Sequence, residues 1–226
     1  MSNRESIKSF CDYFNEQFSQ IVLVDNRLYQ KILLVTAIDA LSRATHGALE
    51  LKPKRRFVNF VCNFANWKDK DRVSLVQLSH RLPLLPSKLK DHVDEQLRNW
   101  KHSQIYGIDN DPFASDLEAL ATVVERQRIE DCCHGNLLYE YRCNLVHEFR
   151  ESGHGSERDN DHSPFYHILI NFDGPTESRD TWELVYPVTF FINLAKLSLD
   201  NLRQHLFQND IDPYSFYKFG TLWKHN

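Results

Sequence analysis

The sequence predicts a mostly α protein: an up-down helical bundle with a small β-hairpin before the last long helix. Three observations predict it. Apolar residues recur at helical spacing through most of the chain. One pair of short segments is rich in β-branched and aromatic residues. Seven Gly and eight Pro in 226 residues are too few for a turn-rich all-β architecture. An apolar fraction of 42%, with 12% aromatics, is enough for a substantial core. The chain reads as a single domain over residues 1–226.

Ser6 to Leu23 places Ile7, Phe10, Cys11, Phe14, Phe18, Ile21 and Val22 on one helical face. Asp25-Asn26 makes a turn and cap before a second helix, about Leu28 to Thr45. Its core face is Leu28, Ile32, Val35, Ile38 and Leu41, and His46-Gly47 ends it. Asp39 is the odd residue there, because a carboxylate prefers caps to helix interiors. It is either a partly solvated surface group or a supporting carboxylate that orients another side chain. A third helix runs roughly from Arg56 to Trp67, behind the basic run Pro53-Lys54-Arg55-Arg56.

Asp71 to His80 alternates apolar residues and reads as a short strand or a helix turn, with strand favoured. Lys88 to Trp100 reads as a charged surface helix, and Gly107 to Pro112 as a loop. Ala114 to Arg128 reads as one helix capped at Ser115, with Glu118 three residues later and Leu117, Leu120, Ala121 and Val124 on its buried side. Cys132, Cys133 and His134 follow. Adjacent cysteines diverge on a helix and no second ligand pair lies at metal spacing, so these residues are read as structural.

After a helix ending near Phe149, residues 150–163 form a polar, Gly-containing loop holding Arg150, His154, Arg158 and His162. These spacings, with His147 and His167, match no metal-ligand pattern, so no metal and no cofactor are assigned. The loop is either a flank of an active site that grasps substrate, with Arg150 as its substrate-binding residue, or a plain solvated linker. Phe165–Asn171 and Thr181–Tyr186 make a hairpin over about 165–186 with a long turn at Phe172-Asp173-Gly174-Pro175. Pro187 opens a helix to about Phe207, with a stripe of Phe190, Phe191, Leu194, Leu197, Leu202 and Leu206. The tail 210–226 carries Tyr214, Phe216, Tyr217, Phe219 and Trp223 and is read as a docking segment.

Net charge is −4, which is not the footprint of a protein that coats nucleic acid, although it leaves room for a local basic groove. No apolar run approaches the roughly 20 residues of a membrane span. The polar start and five irregularly spaced cysteines read as a cytoplasmic chain with free thiols. Phosphate-binding loops, dinucleotide turns and serine-hydrolase elbows are absent.

The central stretch is Leu137 to Phe149. On a helix Leu137, Leu138, Tyr141, Leu145 and Phe149 form one apolar stripe, which leaves Arg142, Asn144 and His147 unexplained. On an α-helix, residues five apart are separated by about 140° and roughly 7.5 Å, so Arg142 and His147 of one chain are not side-by-side neighbours. A two-fold axis, which doubles every residue, would instead gather two copies at one groove. The plain alternative is an Arg142 paired with Glu140 or Glu148 and a helix-end His147 favoured by the dipole.

Arg-x-x-x-x-His near a helix end, with Asn144 inside and aromatics before and after, resembles the HEPN superfamily of small helical nucleotide- and RNA-acting domains. The resemblance implies a metal-independent ribonuclease whose Arg and His, here Arg142 and His147, are shared across a homodimer. Cys143 stands where the family often has a polar acidic or amide residue. Phe149 stands where the members paired with a nucleotidyltransferase antitoxin carry a modifiable tyrosine. The resemblance further implies a toxin or antiphage role, RNA as partner, and an antitoxin or regulatory partner.

The chemistry suits these side chains. RNA supplies its own nucleophile, the 2′-hydroxyl. His147 can serve as acid or base near neutral pH, and Arg142 can clamp the crowded phosphate. Asn144 would position substrate or the motif; Cys143 and Asp39 are the other supporting residues. The alternative is an inactive HEPN-like dimer that binds RNA, a nucleotide or a partner protein.

Overall fold

Ser2 starts the first helix by accepting from the Glu5 amide, while the Glu5 carboxylate accepts from the Ser2 amide. The structure is a computed structural model. It describes residues 2–50, 52–83, 85–153, 155–158, 161–169 and 181–216, with the side chains of 46–50 and 216 left aside. The chain is mostly helical, with a small three-stranded antiparallel sheet. It divides into two compact units, Met1–Trp67 with Phe191–Asn226, and Lys68–Phe190.

In the first unit, α1 (Asn3–Val22) buries Ile7, Phe10, Cys11, Phe14 and Phe18, as its periodicity predicts. The second helix, α2 (Arg27–Glu50), buries Leu34, Val35, Ile38 and Leu41 and passes through His46-Gly47, where the sequence places its end. Next comes α3 (Pro53–Phe64), with proline at the first turn and Phe57, Phe60 and Val61 buried. This unit also takes most of α9 (Val188–Gln208) and a 3₁₀ turn at Pro213–Phe216, where Tyr214 meets Phe10 edge-on at 5.7 Å. In α9 Leu197 is exposed, and Leu199 takes the core place the sequence gives it. Tyr217, Phe219 and Trp223 lie outside the described residues.

The second unit carries α4 (Leu75–Arg81), α5 (Lys88–Arg98), α6 (Ala114–Leu117), α7 (Val123–Asp131) and α8 (His134–Cys143). The strand expected over Asp71–His80 is largely helix. Arg72 and Val73 make single β-bridges to Phe113 and Cys133, and then Ser74 Oγ accepts from the Gln77 amide and starts α4. The helix expected over Ala114–Arg128 is two. Glu125 folds back so that its carboxylate accepts from the Thr122 amide and hydroxyl, both at 2.8 Å, and this capping box opens α7 inside the supposed helix.

Among the described residues three strands form the sheet, β1 (Tyr106–Gly107), β2 (Phe165–Leu169) and β3 (Thr181–Val185), in the order β1-β2-β3. The expected hairpin is present as the β2–β3 pair, with Tyr166 opposite Leu184 and Ile168 opposite Trp182. Its turn, 170–180, lies outside the described residues. The short β1 falls in the stretch around Gly107 read as loop, and its Tyr106 pairs with Tyr166. No described helix is long and apolar enough to cross a membrane.

Candidate active site

The N-terminus of α8 is held by a buried polar cluster. Asp111, His134 and Tyr166 are all buried; Asp111 Oδ2 accepts from His134 Nε2 at 2.8 Å and from the Tyr166 hydroxyl at 2.6 Å, and Oδ1 accepts from the Leu75 amide. Burial first, and the Asp111 carboxylate second, push the Tyr166 hydroxyl pKa well up. The His134 amide donates to the Arg72 carbonyl and the Gly135 amide to that of Lys70. The segment before α4, the β1–α6 connection and the sheet thus fix where α8 begins.

From there Leu137, Leu138, Tyr141 and Leu145 run down the buried side. Phe149 leaves the stripe and is 59% exposed. The reason is a change of helix type. Asn144–Glu148 is a π turn, closed by the Phe149 amide donating to the Asn144 carbonyl five residues back. Phe149 then adopts a left-handed conformation, φ 56° and ψ 34°, which a bulky side chain rarely takes.

The π turn decides the geometry of the motif. In it, the residue five along takes the place that the residue four along holds in an α-helix. Arg142 and His147, expected on separate flanks, are therefore neighbours, with Arg142 Nη1 donating to His147 Nε2 at 3.1 Å. A guanidinium has no acceptor, so Nε2 must carry its lone pair toward Arg142 and the ring proton lies on Nδ1. His147 is exposed, Arg142 half-buried, and the guanidinium lies 5.8 Å from the Tyr139 ring centroid. The pair is thus an exposed imidazole hydrogen-bonded to a planar cation.

The other predicted residues fall differently. Asn144 Nδ2 donates to Ser152 Oγ at 2.8 Å, so its amide ties the following loop to the motif. Cys143 is a half-buried free thiol. Arg150 is ion-paired with Glu148 and donates to the Glu151 carbonyl at 3.2 Å. Asp39 belongs to the first unit, where Arg56 Nη2 contacts it at 3.3 Å and Arg56 Nε donates to Ser42 Oγ at 3.0 Å. His154 lies outside the described residues. Among the described residues no group of three or more His, Cys, Asp or Glu is placed to hold a metal.

Sequence reasoning missed the contacts that shape the loop after the motif. The Tyr141 hydroxyl donates to Glu151 Oε2 at 2.7 Å; burial first, then Glu151, raise its pKa strongly. Gly153 lies so close to β3 that a Cβ there would sit 2.9 Å from Glu183 Oε2, and a Cβ on Gly155 would overlap His167 and Val185. The loop is therefore applied to the sheet, and the glycines that make it look like a linker are what allow the close approach. Beside it opens a cleft of about 450 Å³, lined by Leu137, Tyr141, Asn144, Trp182 and Glu183 among others. Trp182 was the legible signal, as a large aromatic on a short strand. Comparison with models of known protein families, with curated proteins and with solved structures finds no match to this chain.

Proposed function

We propose that the chain is a metal-independent endoribonuclease of HEPN type, an up-down helical bundle acting in the cytoplasm as a homodimer in toxin or antiphage defence. The observation that carries the reading is the 3.1 Å contact between Arg142 Nη1, at the end of α8, and His147 Nε2, exposed on the π turn that follows. His147 Nε2 takes the proton from the 2′-hydroxyl and the 2′-oxygen bonds to phosphorus. The bond to the 5′-oxygen breaks, and that oxygen takes a proton from an acid, the second His147 of the dimer. Arg142 turns from His147 to the phosphorane oxygens as charge develops there. The products are a 2′,3′-cyclic phosphate and a 5′-hydroxyl.

The test is cleavage of labelled total RNA in a metal chelator, with oligomer size read in parallel. Wild type is expected to leave cyclic or 3′-phosphate ends. His147→Ala and Arg142→Ala are expected to lose about 10²–10⁴-fold in rate while staying dimeric. Metal-dependent cutting with 5′-phosphate ends would overturn the mechanism.

One observation favours a second reading. Arg142 already occupies the Nε2 lone pair that a base needs. An inactive dimer that binds RNA, a nucleotide or a regulatory partner such as an antitoxin would keep that contact permanently. In this case neither wild type nor variant cuts, and both remain dimeric.

A further inference from the structure

The chain reverses direction at the end of the motif and runs back over it. Tyr141 and Asn144 stand three apart on one side of α8 and the turn that continues it. Each takes a partner from the returning segment. The Tyr141 hydroxyl donates to Glu151 Oε2 at 2.7 Å, and Asn144 Nδ2 donates to Ser152 Oγ at 2.8 Å. The next contacts are with the sheet. Glu183 and Val185 of β3 and His167 of β2 project from one face, as their register requires. Gly153 lies against Glu183, and Gly155 against His167 and Val185. Glycines two residues apart thus meet strand residues two apart, so the segment runs along β3. Glu157 carries the attachment on, its carboxylate accepting from the Val188 amide at 2.6 Å.

Asn144 joins this segment to the geometry of the motif. Its carbonyl closes the π turn by accepting from the Phe149 amide, and it accepts from the Arg150 amide as well, at 3.5 Å. Its side chain holds Ser152. The turn itself is costly, because it puts the bulky Phe149 at φ 56°. Relaxing Phe149 to a right-handed conformation returns the last turn to α register. In that register the Asn144 carbonyl accepts from the Glu148 amide, and residues five apart stand about 140° apart. Arg142 Nη1 and His147 Nε2, now 3.1 Å apart, would separate.

We infer that Glu151 and Ser152 are positioning residues for the Arg142–His147 pair: the segment they begin is a strap that holds the π turn closed, and so keeps the guanidinium against the imidazole. The inference rests on the ribonuclease reading above, in which that contact builds the site. Both hydrogen bonds form only when the chain has bent back at Phe149, so their free energy opposes the left-handed strain. Their anchor on α8 is firm. The Tyr141 ring is buried and lies 4.9 Å from that of Tyr186, just beyond β3.

The experiment reads the tautomer of His147. In the closed turn Nε2 accepts from Arg142 and the ring proton lies on Nδ1, whereas a histidine side chain free in water favours the proton on Nε2. Long-range proton–nitrogen correlation spectra of the full chain, at a pH where the ring is neutral, distinguish the two forms, and His147→Ala assigns the signal. Wild type is expected to show the Nδ1–H form. Tyr141→Phe with Ser152→Ala removes both hydrogen bonds and no buried ring. It is expected to move His147 to the Nε2–H form and to slow RNA cleavage about ten-fold. Ser152→Thr keeps the hydroxyl and is expected to keep the wild-type tautomer and rate. Gly155→Ala attacks the strap from the sheet side, since its Cβ would lie 2.4 Å from His167 Nε2 and Val185 Cγ2, and is expected to act like the double variant. Where the double variant unfolds, Ser152→Ala alone, on an exposed hydrogen bond, gives the same reading.

A double variant that keeps the Nδ1–H form overturns the strap, whether or not its cleavage slows, and so does a wild type that already shows the Nε2–H form. A switched tautomer at the wild-type rate overturns the positioning role, because the pair is then open and the reaction proceeds. A tautomer that switches in a chain that never cuts RNA upholds the strap and ends the ribonuclease reading, so the two failures are distinct.

Discussion

At the scale of single residues, Phe149 and Asp111 carry the sharpest consequences. A left-handed phenylalanine costs about 1–2 kcal/mol relative to glycine, and its side chain is largely in water. Phe149→Gly is expected to raise stability by about 1 kcal/mol in urea unfolding. Asp111 is the opposite case. Removing its carboxylate leaves His134 Nε2 and the Tyr166 hydroxyl without their shared acceptor inside the core. Asp111→Ala is expected to lose about 3–5 kcal/mol, read by the denaturant midpoint. The buried tyrosines set a pH limit as well. Burial raises the pKa of Tyr141, Tyr166 and Tyr186, the last two also through Asp111 and the first through Glu151. The folded state therefore holds these protons more tightly. Their contribution is complete below the unfolded value of about 10 and is lost as pH rises above it. Ultraviolet titration is expected to show these three hydroxyls ionising only as the chain unfolds.

At the scale of elements, α7 depends on one carboxylate. Glu125 caps its own helix through Thr122 and accepts from Ser87 Oγ at 2.6 Å, the residue that caps α5. Burial alone would raise its pKa, but the hydrogen bonds from Ser87 and Thr122, with Arg128 nearby, outweigh burial and lower it. That stabilisation is present above the ordinary glutamate range near 4.3 and is lost as pH falls through the lower folded value. Glu125→Gln is expected to cost about 1–2 kcal/mol at neutral pH and to flatten the acid limb of the stability curve.

The same stretch shows what the sequence could tell. α1, α9 and the β2–β3 pair were legible because long amphipathic stripes and a β-branched, aromatic pair of segments declare themselves. The break before Thr122 was not, since Val124 continues the apolar stripe on paper yet is 68% exposed. Val73, Leu75, Val76 and Leu78 fit period two and also i, i+3, and Ser74 decided between them. In the candidate site Arg142 and His147 were legible as chemistry but not as neighbours, because no residue type announces a π turn.

At the scale of the whole molecule, the two units each have a core of their own. Hydrogen exchange is expected to separate amides of α1–α3 from those of α5, α7 and α8 by opening free energy. A single common opening for both sets would show one cooperative unit instead. Of the four tryptophans, Trp67 lies in the first unit, and Trp100 and Trp182 lie in the second. Unfolding followed through each separately gives the matching spectroscopic test.

The first unit is discontinuous in sequence, with all of Lys68–Phe190 between its two parts. On a ribosome adding roughly 5–20 residues per second, that stretch takes on the order of ten seconds to emerge. During that time α1, α2 and α3 exist without α9 and the Pro213–Phe216 turn, and the apolar faces those segments close are open to water. The first-made helices are therefore the last to be finished. This is the interval in which a holdase would find this chain, and a stop codon placed after Phe190 would leave the motif-bearing unit whole and the N-terminal helices unsealed.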